Sequence, residues 1–116
     1  MLLNFSNHPS QQWPTLQTDI AIKTYQQITD LPFPNIPPDM NSDELDALVD
    51  LYEIKVRTAD PMAIHIMGEL TFTHRLVNRL KAIGYRCIAS TTERIVLEDG
   101  TGNKTSTFNF VQFRDY

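Results

Sequence analysis

The chain has few of the features that stabilise or anchor a protein by other means than a core. Cys87 is the one cysteine in 116 residues, which removes any intramolecular disulfide framework. No apolar run approaches the roughly 20 residues needed to span a bilayer. The opening MLLNFSNHP has no basic region and no long apolar stretch, unlike a signal peptide. Neither G-x-G-x-x-G nor G-x-x-x-x-G-K-[ST] occurs, so a conventional nicotinamide enzyme is disfavoured. Internal repeats and low-complexity tails are missing as well. These absences lead us to expect a cytoplasmic domain with no membrane contact.

What is present fits one compact unit over residues 1–116. With 41% hydrophobic and 21% charged residues, disorder, collagen and coiled coil are poor descriptions. A chain of this length can bury a working core without staples. The net charge of −4 is unevenly placed: residues 1–60 hold nine acids against three bases, whereas residues 61–116 hold five against seven. An acidic whole argues against duplex nucleic acid, which needs many phosphate-neutralising cations. A small anion in a local basic pocket remains compatible with this balance.

Apolar periodicity predicts alternating elements. Leu2–Ser6 reads as a strand stopped by Asn7-His8-Pro9. A helix follows from Leu16 to about Gln27, with Pro14 in its first turn, and a short strand covers Ile28–Leu31. The run Leu31–Pro38 holds four prolines and is neither helix nor central strand. Asn41 or Ser42 caps the next helix, whose stripe is Leu45, Leu48, Val49, Tyr52 and Val56 and which Asp60-Pro61 ends. Ala63–Met67 reads as a buried strand. A helix begins at Glu69, with Phe72, Leu76, Val77, Leu80 and Ile83 on one face and Gly84 at its end. Arg86–Ala89 forms a fourth strand, and Arg94–Glu98 with Thr105–Phe113 a hairpin on the turn Asp99–Asn103. The fold class is therefore α/β: a three-layer, Rossmann-like unit with a mainly parallel sheet and a C-terminal β-hairpin.

In such sheets ligands lie beyond the carboxyl ends of strands. The site candidates are accordingly Asn7 and His8, then Gly68, Glu69 and Thr71, then Ser90, Thr91, Thr92 and Arg94. Gly68 would let a ligand approach the backbone, and free N–H groups at the following helix start would favour an anion; a tight turn capped by Thr71 explains the same residues. Ser90, Thr91 and Thr92 offer hydroxyls and Arg94 a two-pronged phosphate partner, although a polar turn with an Arg94–Glu93 pair is the plainer alternative. His8, after a strand and before a proline, has an active-site position and a pKa range suited to proton transfer. His65 reads as a hydrogen-bonded core residue, His74 as exposed and Cys87 as core. The three histidines are too scattered for a metal site, so neither metal nor cofactor is expected. Arg75 and Arg79 read as surface charges or as contacts to a second subunit.

The pieces NFSNHPS, LPFPNIPP and IHIMGELTF, with the closing ASTTER and FNFVQFRDY, resemble small standalone CRISPR-associated Rossmann-fold (CARF) proteins and their ring-nuclease relatives. The resemblance covers most of the chain as short separated blocks. It implies a homodimer in antiviral defence that binds a cyclic oligoadenylate second messenger across its two-fold axis. It further implies metal-independent cleavage, in which a ribose 2′-hydroxyl attacks the adjacent phosphate. On this likeness His8, Thr92 and Arg94 would be catalytic, while Asn7, Gly68, Glu69, Thr71, Ser90 and Thr91 would bind the ligand. A sensor or sponge that binds the nucleotide without cutting it is one alternative. An adaptor that uses the acidic half and the proline loop to meet a protein partner is another.

Overall fold

The structure, a computed structural model, describes residues 1–116. Five strands form one sheet in the order β2-β1-β3-β4-β5: β1 Leu2–Ser6, β2 Ile28–Asp30, β3 Ala63–Met67, β4 Cys87–Glu98 and β5 Lys104–Asp115. The first four run parallel, and β5 returns antiparallel to β4. Three helices connect them: α1 Thr15–Tyr25, α2 Ser42–Ala59 and α3 Leu70–Ala82. A short 3-10 turn, Ser10–Gln12, lies between β1 and α1.

Strand alternation sorts the core into two clusters, one on each face of the sheet. Leu3, Phe5, Ile64, Ile66 and Cys87 pack with Leu45, Val49 and Val56 of α2 and with Phe72, Leu76, Val77 and Leu80 of α3. Phe5 is central here, stacking on Phe33 at 4.9 Å and Tyr52 at 5.0 Å between ring centroids. Full burial of such a side chain is worth about 1.5–3 kcal/mol. The opposite face is smaller: Leu2, Ala63 and Ile88 meet Ala21 and Tyr25 of α1, together with Trp13. Helix α1 buries only Gln17, Ala21 and Tyr25, a single i, i+4, i+8 row. Leu16, near its start, is 53% exposed.

The predicted caps and breaks hold with small shifts. Asn41 caps α2 through a capping box with Glu44, and Asp60 closes it in a left-handed conformation. Gly84, at φ +95°, follows α3 where an L side chain would be strained. The proline loop is irregular and seats Leu31, Phe33 and Ile36 against the larger core cluster.

The hairpin is arranged differently from the expectation. Ser90–Thr92 does not end a fourth strand; β4 runs without a break from Cys87 to Glu98 and is itself the first arm of the hairpin. A bulge between Thr91 and Thr92 lets the ladder bend there while the strand continues. The hydroxyl run is thus a mid-strand feature at a bend, where β4 leaves the parallel sheet.

Candidate functional site

In an open sheet of this order the chain reverses between β1 and β3, which opens a crevice at their carboxyl ends. His8 follows β1 and Met67 ends β3, and both line a cavity of about 430 Å³ on the α1 face. Trp13, Pro14 and Gln17 wall it from the α1 side, His65 forms its floor, and Ser90, Thr92, Phe108 and Phe110 close it from β4 and β5. Its volume falls within the ordinary range of small-molecule sites.

The floor is a chain of hydrogen bonds across three neighbouring strands. Asn4 and His65 are direct cross-strand partners, and Ser90 lies two residues beyond Ile88, the partner of His65 on β4. Asn4 Nδ2 donates to the His8 carbonyl and to Asp30 Oδ1, both at 2.8 Å. Its Oδ1 therefore accepts, taking Ser6 Oγ at 2.8 Å and His65 Nδ1 at 2.9 Å. That assignment puts the imidazole proton on Nδ1 and leaves the Nε2 lone pair facing Ser90 Oγ, 3.2 Å away. The Ser90 hydroxyl has Met67 Sδ as a second acceptor at 3.0 Å.

Aromatic rings surround this imidazole. Trp13 and Phe113 meet His65 edge-on at 5.2 and 5.7 Å. His65 is 1% exposed. Burial, with an added contribution from nearby His8, lowers its pKa to about 4, so it is neutral at physiological pH. The same network fixes the turn that carries His8. The His8 carbonyl also accepts from Trp13 Nε1 at 3.1 Å, and its N–H donates to Ser6 Oγ at 3.2 Å. The His8 side chain is left exposed at the cavity rim.

Of the residues expected at the site, His8, Ser90 and Thr92 meet in this cavity. The others do not join them. Thr91 is absent from the cavity wall, and its hydroxyl donates to the Gln112 carbonyl. Arg94 lies farther along the hairpin, donating to Ser106 Oγ, and pairs in register with Phe108. Asn7 borders shallow depressions next to Phe33.

The Gly68–Thr71 turn differs most from its expected role. The Glu69 carboxylate itself caps α3, accepting from the N–H groups of Thr71 and Phe72 and from the Thr71 hydroxyl. These bonds, the Phe72 amide first, hold its pKa below the usual glutamate value. The donors expected to meet a ligand anion are thus occupied by the chain's own acid. Gly68 answers to packing: a Cβ there would lie 2.2 Å from the Phe33 ring.

His65, Trp13, Gln17, Phe108 and Phe110 are cavity residues that sequence reasoning did not select. His65 is the one polar residue of β3 and Asn4 lies between Leu3 and Phe5 in β1, and that mismatch was their available signal. Arg75 and Arg79, for their part, pair with Asp46 and Asp50 of α2. Part of the opposite charge of the two halves is therefore matched within the α2–α3 layer.

No curated protein and no solved structure matches this chain. The family model described as "Uncharacterized protein MJ1673 family" matches residues 1–114, and the chain belongs to that family.

Proposed function

We propose that this chain is a CRISPR-associated, CARF-like ring nuclease that binds a cyclic oligoadenylate and cleaves it without metal, acting as a cytoplasmic homodimer. The observation that carries this reading is the cavity at the β1/β3 crevice, where His8, Ser90 and Thr92 stand among exposed and buried aromatic rings. Proton-transfer groups, hydroxyl donors and ring faces are what a ribonucleotide phosphodiester requires. A cavity of about 430 Å³ is far too small for a whole ring of nucleotides, so one unit enters each site. The rest of the ring spans toward a second copy. Val96 and Leu97, at 50% and 60% exposure on opposite faces of the hairpin arm, each add apolar surface for such an association.

The reaction needs no covalent intermediate with the protein. The ribose 2′-oxygen attacks the adjacent phosphorus, and the bond from phosphorus to the 5′-oxygen breaks. The products are a 2′,3′-cyclic phosphate and a 5′-hydroxyl. His8, at the rim, takes the proton from the 2′-hydroxyl or returns one to the leaving oxygen. Thr92 donates to a phosphate oxygen. Arg94, outside the cavity but opposite its wall residue Phe108 in the ladder, would leave Ser106 to offset the charge that develops on the non-bridging phosphate oxygens.

The test is incubation with cyclic tetra- and hexa-adenylate in EDTA, followed by chromatography. Linear oligoadenylates are expected, and Arg94→Ala should slow their appearance about 10²-fold while the fold survives. Rings bound but intact would make the protein a sensor or sponge. Rings neither bound nor cut would remove the reading and favour an adaptor role.

A further inference from the structure

Gln17 is 6% exposed and lines the cavity, yet its side-chain amide makes no hydrogen bond within the chain. Its amide atoms nevertheless keep contact with solvent, since the one sealed side-chain polar atom without a partner is Thr73 Oγ1. The neighbouring buried side chains Asn4, Ser6 and His65 all have partners. Gln17 thus brings an acceptor and a donor, side by side and without a partner in the chain, to the cavity wall. Across that space, Phe108 is 65% exposed on the hairpin. A ring left in water on a cavity rim offers an open face for stacking, worth about 1–3 kcal/mol to a planar base.

We propose that Gln17 and Phe108 form an adenine subsite, with the Gln17 amide reading the 6-amino group and an adjacent ring nitrogen while the Phe108 ring stacks on the base. Adenine presents a donor beside an acceptor, the complement of a glutamine amide. Trp13 and Phe110, at 8% and 6% exposure, complete an apolar wall that excludes water from the pair. The hydroxyls of Ser90 and Thr92 line the same cavity from β4, where ribose and phosphate would be. This subsite rests on the reading of the cavity as a nucleotide site. It goes beyond that reading by assigning base selection to α1 and β5, neither of which supplies a proposed catalytic residue.

The experiment is titration calorimetry with adenosine 5′-monophosphate and with purine riboside 5′-monophosphate, which lacks only the 6-amino group. Wild-type protein should bind the adenine nucleotide at least 5-fold more tightly, the lower limit for a bidentate base contact. Gln17→Leu should weaken the adenine nucleotide more than the purine analogue, which keeps the ring nitrogen, and so abolish the discrimination between the two. Phe108→Ala, at an exposed position, should weaken both equally with no loss of thermal stability. Absence of binding by the adenine nucleotide, or equal affinity of Gln17→Leu and wild type for it, would overturn the subsite. Ring cleavage measured on the same proteins separates the two ideas. Cleavage indifferent to Gln17 would leave the nuclease reading standing without the subsite, whereas discrimination between the monophosphates with intact rings would do the reverse.

Discussion

His65 shows how much one buried side chain can connect. Its Nδ1–H is committed to Asn4, its Nε2 faces Ser90, and aromatic edges exclude water around it. Protonation would add charge to that enclosure and break the Asn4–His65–Ser90 pattern of donors and acceptors. The sign of the pH effect follows. The folded pKa of about 4 lies below the ordinary 6.5, so between these values the unfolded chain binds a proton that the folded chain does not. Stability from this group is full above the upper value and falls as pH drops toward the lower one. The loss amounts to about 3 kcal/mol by pH 4. His65→Gln, which does not titrate, should flatten this part of the profile. Urea unfolding of both proteins from pH 4 to 7.5 checks it, and parallel curves would refute the assignment.

At the scale of elements, the start of α3 shows how one glycine turn fits both an anion site and a capped turn. A strand, a glycine and a helix start are compatible with a ligand anion or with an internal carboxylate, and local sequence does not separate the two. Here Glu69 reaches its own helix terminus, satisfying two amides that would otherwise lack partners. Glu69→Ala should destabilise the protein by about 1 kcal/mol through the lost cap. Because the carboxylate's pKa is depressed in the folded state, its contribution is present above the ordinary glutamate range and lost as pH falls below it. Chemical denaturation at pH 7 and at pH 3 should therefore separate mutant from wild type clearly at the first pH and little at the second. An equal gap at both would refute the cap. The Gly68–Phe33 packing could not be foreseen either, because it joins a loop to a turn 35 positions later.

For the whole molecule, the hairpin sets the shape. The chain extends over 51 × 39 × 21 Å with a radius of gyration of 16.2 Å. A compact domain of similar length has about 13 Å. Beyond the bulge at Thr91/Thr92, β4 and β5 pair mainly with each other, and two-stranded ribbons in water are marginally stable alone. Hydrogen exchange should therefore be faster between Glu93 and Asn109 than in β1 and β3, where strands are buried on both faces. Mass spectrometry of exchanged peptides checks this, and equal protection in both regions would contradict it. Association through the arm should slow its exchange as protein concentration rises.

Sequence alone determined the alternation of strands and helices, the caps of α2, the irregular proline loop and the hairpin turn. Each follows from local causes: apolar period, capping side chains, and glycine and proline at breaks. His8 was also legible, because a histidine after the first strand must lie at a carboxyl edge in any parallel sheet. Tertiary structure decided the rest. Continuity of β4 depended on β5 pairing along its whole length, which no window of β4 reveals. The polar chain from Asn4 through His65 to Ser90 depended on strand order, since those residues are 61 and 25 positions apart. Gln17 looked like one more polar residue on a weakly patterned helix. Only the packing of α1 over the sheet buried most of that residue and placed it on the wall of the cavity.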